Sequence, residues 1–332
     1  MTSRLALALE AGSPSLPVSG DIAVFAPREG YDLSPLPKER FVIVTGLKPD
    51  YDRLNAAGYT CETELTREVA ASIICVPRAK ALAQAYVAQA VEKTTGPILI
   101  DGAKTDGIEA LYKACRKRGD VSAALSKAHG KLFHFTASSG FEDWLPEEHQ
   151  PIEGGFVTAP GIFSADSVDP ASRLLADNLP AKLGAEIADL GAGWGYLSIR
   201  ILERSDVQTL HLIEAEHAAL RCAQTNVSDS RARFHWADAS SWSAESPLDS
   251  VVMNPPFHTS RTPEPIIGQR FIRAAARLLH SKGQLFLVAN RHLPYERFLE
   301  QSFSEVAEFG GDTRFKLLKA ARPRPGARVS AG

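Results

Sequence analysis

Asp189-Leu190-Gly191-Ala192-Gly193-Trp194-Gly195 is the stretch on which the fold turns. It follows a short apolar run, Glu186–Asp189, and precedes a segment with helical spacing from Tyr196 to about Glu203. It therefore reads as the turn that carries a strand into a helix. Glycines at such a turn admit positive φ and let backbone approach a ligand closely. A nicotinamide fingerprint needs G-x-G-x-x-G, and here its last position is Tyr196. The spacing found is G-x-G-x-G, with an acid two residues ahead of the first glycine. That pattern suits S-adenosylmethionine, which has a cationic amino-acid end and no pyrophosphate. Asp189 is the expected acceptor for its ammonium, directly or through water, with Gly191, Ala192, Gly193 and Gly195 forming the cradle.

Working outward, a strand His211–Glu214 places Glu214 twenty-five residues after Asp189. A carboxylate there can accept both hydroxyls of a ribose, by the logic of the acid that follows a dinucleotide loop. A helix Ala218–Val227 and a strand Arg233–Trp236 lead to Asp238-Ala239, where Asp238 can accept from an adenine amino group. Three acids at the C-terminal ends of three successive strands lie where open α/β sheets bind ligands.

The next strand, Ser250–Met253, runs into Asn254-Pro255-Pro256-Phe257. An exocyclic amine on guanine or adenine is a poor nucleophile, because its lone pair is delocalised into the ring. It carries two N–H donors. The Asn254 side-chain oxygen and the Pro255 carbonyl offer two acceptors, and binding both hydrogens favours a pyramidal nitrogen. The prolines fix φ and stiffen the pair, as positional catalysis requires. Phe257 can stack on an extruded base.

The remainder of the chain frames this centre. Helix Pro170–Asn178 precedes the decisive strand. Helix Glu264–Leu279 has apolar residues at Ile267, Phe271, Ala275 and Leu278, and strands are expected at Gln284–Val288 and Phe315–Leu318. The first half alternates strands at Ile22–Phe25, Phe41–Thr45, Ser72–Val76, Pro97–Ile100 and Lys131–Phe135 with helices at Ala79–Val91 and Gly107–Lys117, the latter capped by Asp106. This is α/β with a parallel sheet, but it lacks a glycine-rich turn. Residues 1–137 are expected to form one domain, 138–155 a Ser/Gly/Glu/Pro-rich linker, 156–321 the working domain and 322–332 a loose tail.

Of the residues, 44% are hydrophobic and 23% charged, and net charge is −2. These values fit a globular protein and do not by themselves announce nucleic-acid binding. Cys61, Cys75, Cys115 and Cys222 are scattered with no CxxC pair, which argues against a zinc site or a disulfide scaffold. No apolar run reaches the length of a signal-peptide core or a membrane span. A cytoplasmic protein without metal or membrane association is expected.

The second half resembles bacterial ribosomal RNA (guanine-N2-)-methyltransferases of the RsmC type. The resemblance rests on Pro160-Gly161-Ile162-Phe163-Ser164, Asp189–Gly195, Asn254–His258, Val288-Ala289-Asn290-Arg291-His292-Leu293-Pro294-Tyr295 and Arg314-Phe315-Lys316, which occur in family order over about 160 residues. It implies two tandem Rossmann-like methyltransferase domains, the first degenerate and the second a class I S-adenosylmethionine-dependent methyltransferase. It places Phe163 and Ser164 against the methionine end of the cofactor. The family has Asp where this chain has Glu214, and either carboxylate can hold ribose. The expected activity is methyl transfer to the N2 amine of a guanine in small-subunit ribosomal RNA, the partner being ribosomal RNA or the subunit. Large-subunit RNA, adenine N6, and a non-catalytic RNA-binding assembly factor are the alternatives. In the first half, Lys113, Arg116, Lys117, Arg118, Lys127 and Lys131 are candidates for an RNA-facing patch.

Overall fold

The structure, a computed structural model, describes residues 3–136, 139–147, 150–256 and 265–325. The chain divides into two compact units, residues 1–150 with 159–161 and residues 151–158 with 162–332.

In the first unit, β1 (Ile22–Phe25), β2 (Phe41–Val44), β3 (Thr60–Glu62), β4 (Ala71–Cys75), β5 (Pro97–Ala103), β6 (Leu125–Lys127) and β7 (Gly130–Thr136) form a seven-stranded sheet of order β3-β2-β1-β4-β5-β7-β6. Every residue of β1, β2 and β4 is buried, as expected of strands covered on both faces. Helices α1 (Arg4–Glu10) and α2 (Lys48–Ala56) contribute Leu5, Ala8 and Leu54 to one apolar layer. Helices α3 (Lys80–Lys93) and α4 (Ile108–Arg116) contribute Ala83, Val87 and Leu111 to the other.

Several expectations need correction. The sheet is mixed, because β7 runs antiparallel to both β5 and β6. Asp106 does not cap α4; Gly107 occupies the cap with φ 84°, and buried Asp106 accepts from Arg28 Nη1 at 2.7 Å instead. The expected linker is also partly structural. Phe141 stacks on Phe135 with centroids 5.4 Å apart, and both Phe141 and Trp144 belong to the first unit's core. Polar composition concealed these two aromatic anchors. Later in the same stretch, β8 (Gln150–Pro151) pairs with β9 (Val157–Thr158).

The second unit repeats the plan. Strands β10 (Glu186–Leu190), β11 (Thr209–Glu214), β12 (Ala232–Trp236), β13 (Leu248–Met253), β14 (Leu279–Asn290), β15 (Phe303–Gly311) and β16 (Phe315–Pro323) form a sheet of order β12-β11-β10-β13-β14-β16-β15. The pairs β14–β16 and β15–β16 are antiparallel. Helices α5 (Pro170–Asn178), α6 (Tyr196–Leu202) and α7 (His217–Asn226) cover one face. Helices α8 (Pro265–Leu278) and α9 (Tyr295–Ser302) cover the other. In β10, Ile187, Ala188 and Leu190 are fully buried, and burying each of the two larger side chains contributes about 1.5–3 kcal/mol. The expected loose tail starts too early, since β16 continues through Arg322 and Pro323.

Topology fixes where a site can form. From β10 the chain moves outward to β11 and β12, then returns to β13 on the opposite side of β10. The crest between β10 and β13 is therefore a switch point, the usual location of ligand clefts in such sheets. The turn Gly191–Gly195 leaves one strand there, and Asn254 leaves the other.

Candidate active site

At this crest a cleft is lined by Phe163, Ser164, Asp169, Ser172, Gly191, Ala192, Gly193, Trp194, Tyr196, Leu197 and Asn254. The glycines of the turn serve different needs. Gly193 has φ 57° and open space where a Cβ would stand, so its backbone faces the cleft unscreened. Gly195 has φ 96°, and a Cβ there would meet Val227 Cγ2 at 2.8 Å. It lets the first turn of α6 pack on α7 and does not line the cleft.

Asp189 is fully buried near the end of β10. Its Oδ2 accepts from Ser198 Oγ at 2.7 Å, and its Oδ1 has no protein partner. Burial pushes this carboxyl up to about 7; the Ser198 hydroxyl opposes the rise and the charge of Glu214 adds to it. Glu214, half-buried at the end of β11, accepts from the backbone N–H of Gly193 and of Glu216, both at 2.8 Å. Burial raises its pKa as well. Glu216 follows, pushed to about 7 by burial and by the charge of Glu214. Three desolvated carboxyls are thus crowded beside one glycine turn, an environment that a cation relieves. A cofactor with an ammonium and a sulfonium fits these residues.

Asp238 lies two residues beyond β12, its Oδ1 accepting from Ser240 N at 2.8 Å, and Ala239 is buried. Neither lines the cleft, and neither do Asp189, Glu214, Pro255 or Pro256. Phe163 does, and is 61% exposed. Ser164 also lines the cleft; it holds a left-handed φ of 53°, and its carbonyl accepts from Trp194 Nε1 at 3.2 Å.

Asn254 emerges from β13 onto the cleft wall. Its Nδ2 donates to Asp169 Oδ2 and to Ser172 Oγ, both at 2.9 Å, while its buried Oδ1 has no partner. Pro255 is buried and Pro256 exposed; Phe257 and His258 lie outside the described residues.

Sequence reasoning missed Asp169, Ser172, Glu216 and Asn226. Asp169 precedes a proline at the start of an expected helix, a recognisable N-cap signal, and its carboxylate does accept from Ser172 N at 2.7 Å. Asn226 bridges Val157 and the Trp194 carbonyl through its side-chain amide. No local signal marked that long-range bridge.

Among its described residues the first unit has no equivalent glycine turn. Ala26 follows β1 with φ 47°, and its N–H donates to Val44 O, as that of Gly191 does to Ile213 O after β10. Beyond this point the match ends. Pro27 and Arg28 follow, and Arg28 donates to Val76 O and Asp106. The basic cluster is partly neutralised: Arg118 is paired with Asp143 and Lys131 with Glu109. Lys113, Arg116 and Lys117 are exposed. Among the described residues there is no group of three His, Cys, Asp or Glu arranged to hold a metal ion, and no helix is long and apolar enough to cross a membrane.

Known methyltransferases resemble this chain. A ribosomal RNA small subunit methyltransferase C from Shewanella amazonensis is 26% identical over 296 residues, covering 82% of this chain and 86% of the relative. A ribosomal RNA large subunit methyltransferase G from Alcanivorax borkumensis is 30% identical over 173 residues, covering 50% of this chain and 44% of the relative. A solved T. thermophilus 16S rRNA N2 methyltransferase (RsmC), in complex with AdoMet and guanosine, superposes with a TM-score of 0.79 at 24% identity, over 93% of this chain and 90% of that one. At that identity the likeness establishes the shared two-unit α/β fold. The family model described as the methyltransferase small domain matches residues 153–319, and the chain belongs to that family.

Proposed function

We propose that this protein transfers a methyl group from S-adenosylmethionine to the exocyclic N2 amine of a guanine in small-subunit ribosomal RNA, in the cytoplasm. The observation that carries the proposal is the unpartnered, buried Oδ1 of Asn254, a residue on the cleft that the glycine turn also lines. It is an acceptor waiting for a donor, and an exocyclic amine brings two.

S-adenosylmethionine supplies an electrophilic methyl group. Gly191, Ala192 and Gly193 provide backbone close to it, and Phe163 and Ser164 bound its methionine end. Asp189 offers its free oxygen to the ammonium, directly or through water. Glu214 keeps lone pairs for the ribose hydroxyls after accepting its two backbone bonds, and Asp238 with Ala239 borders the adenine. Asn254 Oδ1 and the Pro255 carbonyl take the two amine hydrogens and favour a pyramidal nitrogen, Pro256 holds the turn rigid, and Phe257 stacks on the base. The product nitrogen loses its extra proton to water, so no strong base is required.

The direct test is mass mapping of ribosomal RNA from cells with and without the gene. The reading expects one guanine in the small subunit to lose a methyl group at N2. A missing methyl in large-subunit RNA would move the substrate to the other ribosomal subunit, and one at adenine N6 would change the base. Unchanged RNA would favour a non-catalytic assembly factor.

The first unit is proposed to recognise RNA and support the second without performing chemistry. Reversing Lys113, Arg116 and Lys117 to Glu should raise KM for RNA by about tenfold or more, since each lost phosphate contact weakens a salt-sensitive attraction. Cofactor affinity should not move. Steady-state kinetics with folding verified by circular dichroism checks this, and an unchanged KM would return the cluster to an ordinary solvated helix face.

A further inference from the structure

We infer that Asp169 is a positioning residue of the amine-transfer centre: with Ser172 it fixes the Asn254 amide so that the oxygen, and not the nitrogen, is offered to the substrate. The inference rests on the function proposed above.

A side-chain amide can present either end to a cleft, and the two ends have opposite chemistry. The oxygen accepts from an incoming amine; the nitrogen would oppose one donor to another. Only the surroundings choose between them. Here both hydrogens of Asn254 Nδ2 are committed, one to Asp169 Oδ2 and one to Ser172 Oγ. The Asp169 carboxylate has no hydrogen to give, so the nitrogen must face it. Oδ1 is thereby left buried and without a protein donor, on a residue that lines the cleft.

The clamp is itself anchored. Asp169 is the N-cap of α5, its Oδ2 also accepting from Ser172 N at 2.7 Å, and Pro170 sets the first helical φ. Helix α5 packs on α6 and β14. The acceptor at the end of β13 is therefore held by a separate rigid helix, and a small angular error at a reacting centre is costly. Asp169 and Ser172 line the same cleft as Asn254.

Two substitutions in the full chain separate positioning from capping. Asp169→Ser keeps a capping oxygen but is too short to reach the amide. Asp169→Asn keeps one oxygen able to accept both bonds. With S-adenosylmethionine and a small-subunit ribosomal RNA transcript as probes, Asp169→Ser should lower kcat about 10–100-fold. KM and the thermal midpoint should hold, and Asp169→Asn should recover most of the rate. In an Asn254→Ala background, Asp169→Ser should change kcat by no more than about twofold, because the two residues act as one unit.

A spectroscopic readout needs no turnover. The Asn254 side-chain amide protons, identified as the nitrogen–proton signals lost in Asn254→Ala, should exchange slowly with water in the wild type. Asp169→Ser should shift them and speed their exchange. Amide signals that do not move, or effects of the two substitutions that simply add, would overturn the inference. An Asn254→Ala enzyme of full activity would instead overturn the amine-transfer reading, with the amide spectrum still reporting on the clamp.

Discussion

Replacing Asn254 with alanine should lower kcat on the ribosomal RNA substrate by about 10²–10³-fold, the loss typical of one preorganised polar group. The amine nitrogen becomes pyramidal and gains positive charge only as the methyl group arrives. An acceptor that strengthens at that moment raises kcat and leaves ground-state binding alone. Cofactor affinity should therefore stay within about twofold of the wild type. Asn254→Asp is the sharper control. It keeps an acceptor but removes both hydrogens that bind Asp169 and Ser172, placing a carboxylate where the wild-type contact is 2.9 Å. Two such carboxyls share a proton, so one pKa rises. Activity should be low at neutral pH and partly recover as pH falls and that proton is taken up. Single-turnover methyl transfer measures both variants. Near-normal kcat in Asn254→Ala would refute the proposed chemistry while leaving the fold untouched.

Glu214→Ala should weaken S-adenosylmethionine binding by about 100-fold or more. Two ribose hydroxyls would lose a charged acceptor, and such bonds contribute about 1.5–3 kcal/mol each, together enough for a factor of that size. The same substitution frees the N–H of Gly193, which now donates to Glu214 at 2.8 Å, so the turn loses a brace as well. Calorimetry on the apoprotein gives the affinity. Unchanged binding would show that Glu214 shapes the turn and does not touch the cofactor.

The parts of this arrangement that were legible in the sequence are those written in contiguous residues. Helix α5 matches its expected limits of Pro170 and Asn178, because Asp169-Pro170 punctuates its start. The buried strands β10, β11 and β13 announce themselves as short apolar runs. Strand β15 does not: it lies at the sheet edge, paired only with β16, and alternates apolar residues with exposed Glu305 and Glu308. Strand β3 is three residues long and edge-placed too. At the site, the glycine turn, its acids and Asn254 could be proposed from spacing. The bond from Asn254 to Asp169 could not, since 85 residues separate them and only the return of the chain to β13 makes them neighbours.

The two sheets have the same strand order, and both open their first crest turn with a left-handed residue, Ala26 in one and Gly191 in the other. The simplest history is duplication of one ancestral unit followed by unequal descent. The copy that kept its glycines remained bound by a ligand's shape and tolerates little change there. In the first unit Pro27 and Arg28 follow the left-handed residue, Arg28 pairs with Asp106, and no glycine turn imposes that demand. Its interior must still fold, which ties the apolar strands of its sheet and leaves its surface less constrained. Related chains should accordingly vary most over the surface of the first unit's helices, where neither the buried strands nor a glycine turn constrains the sequence.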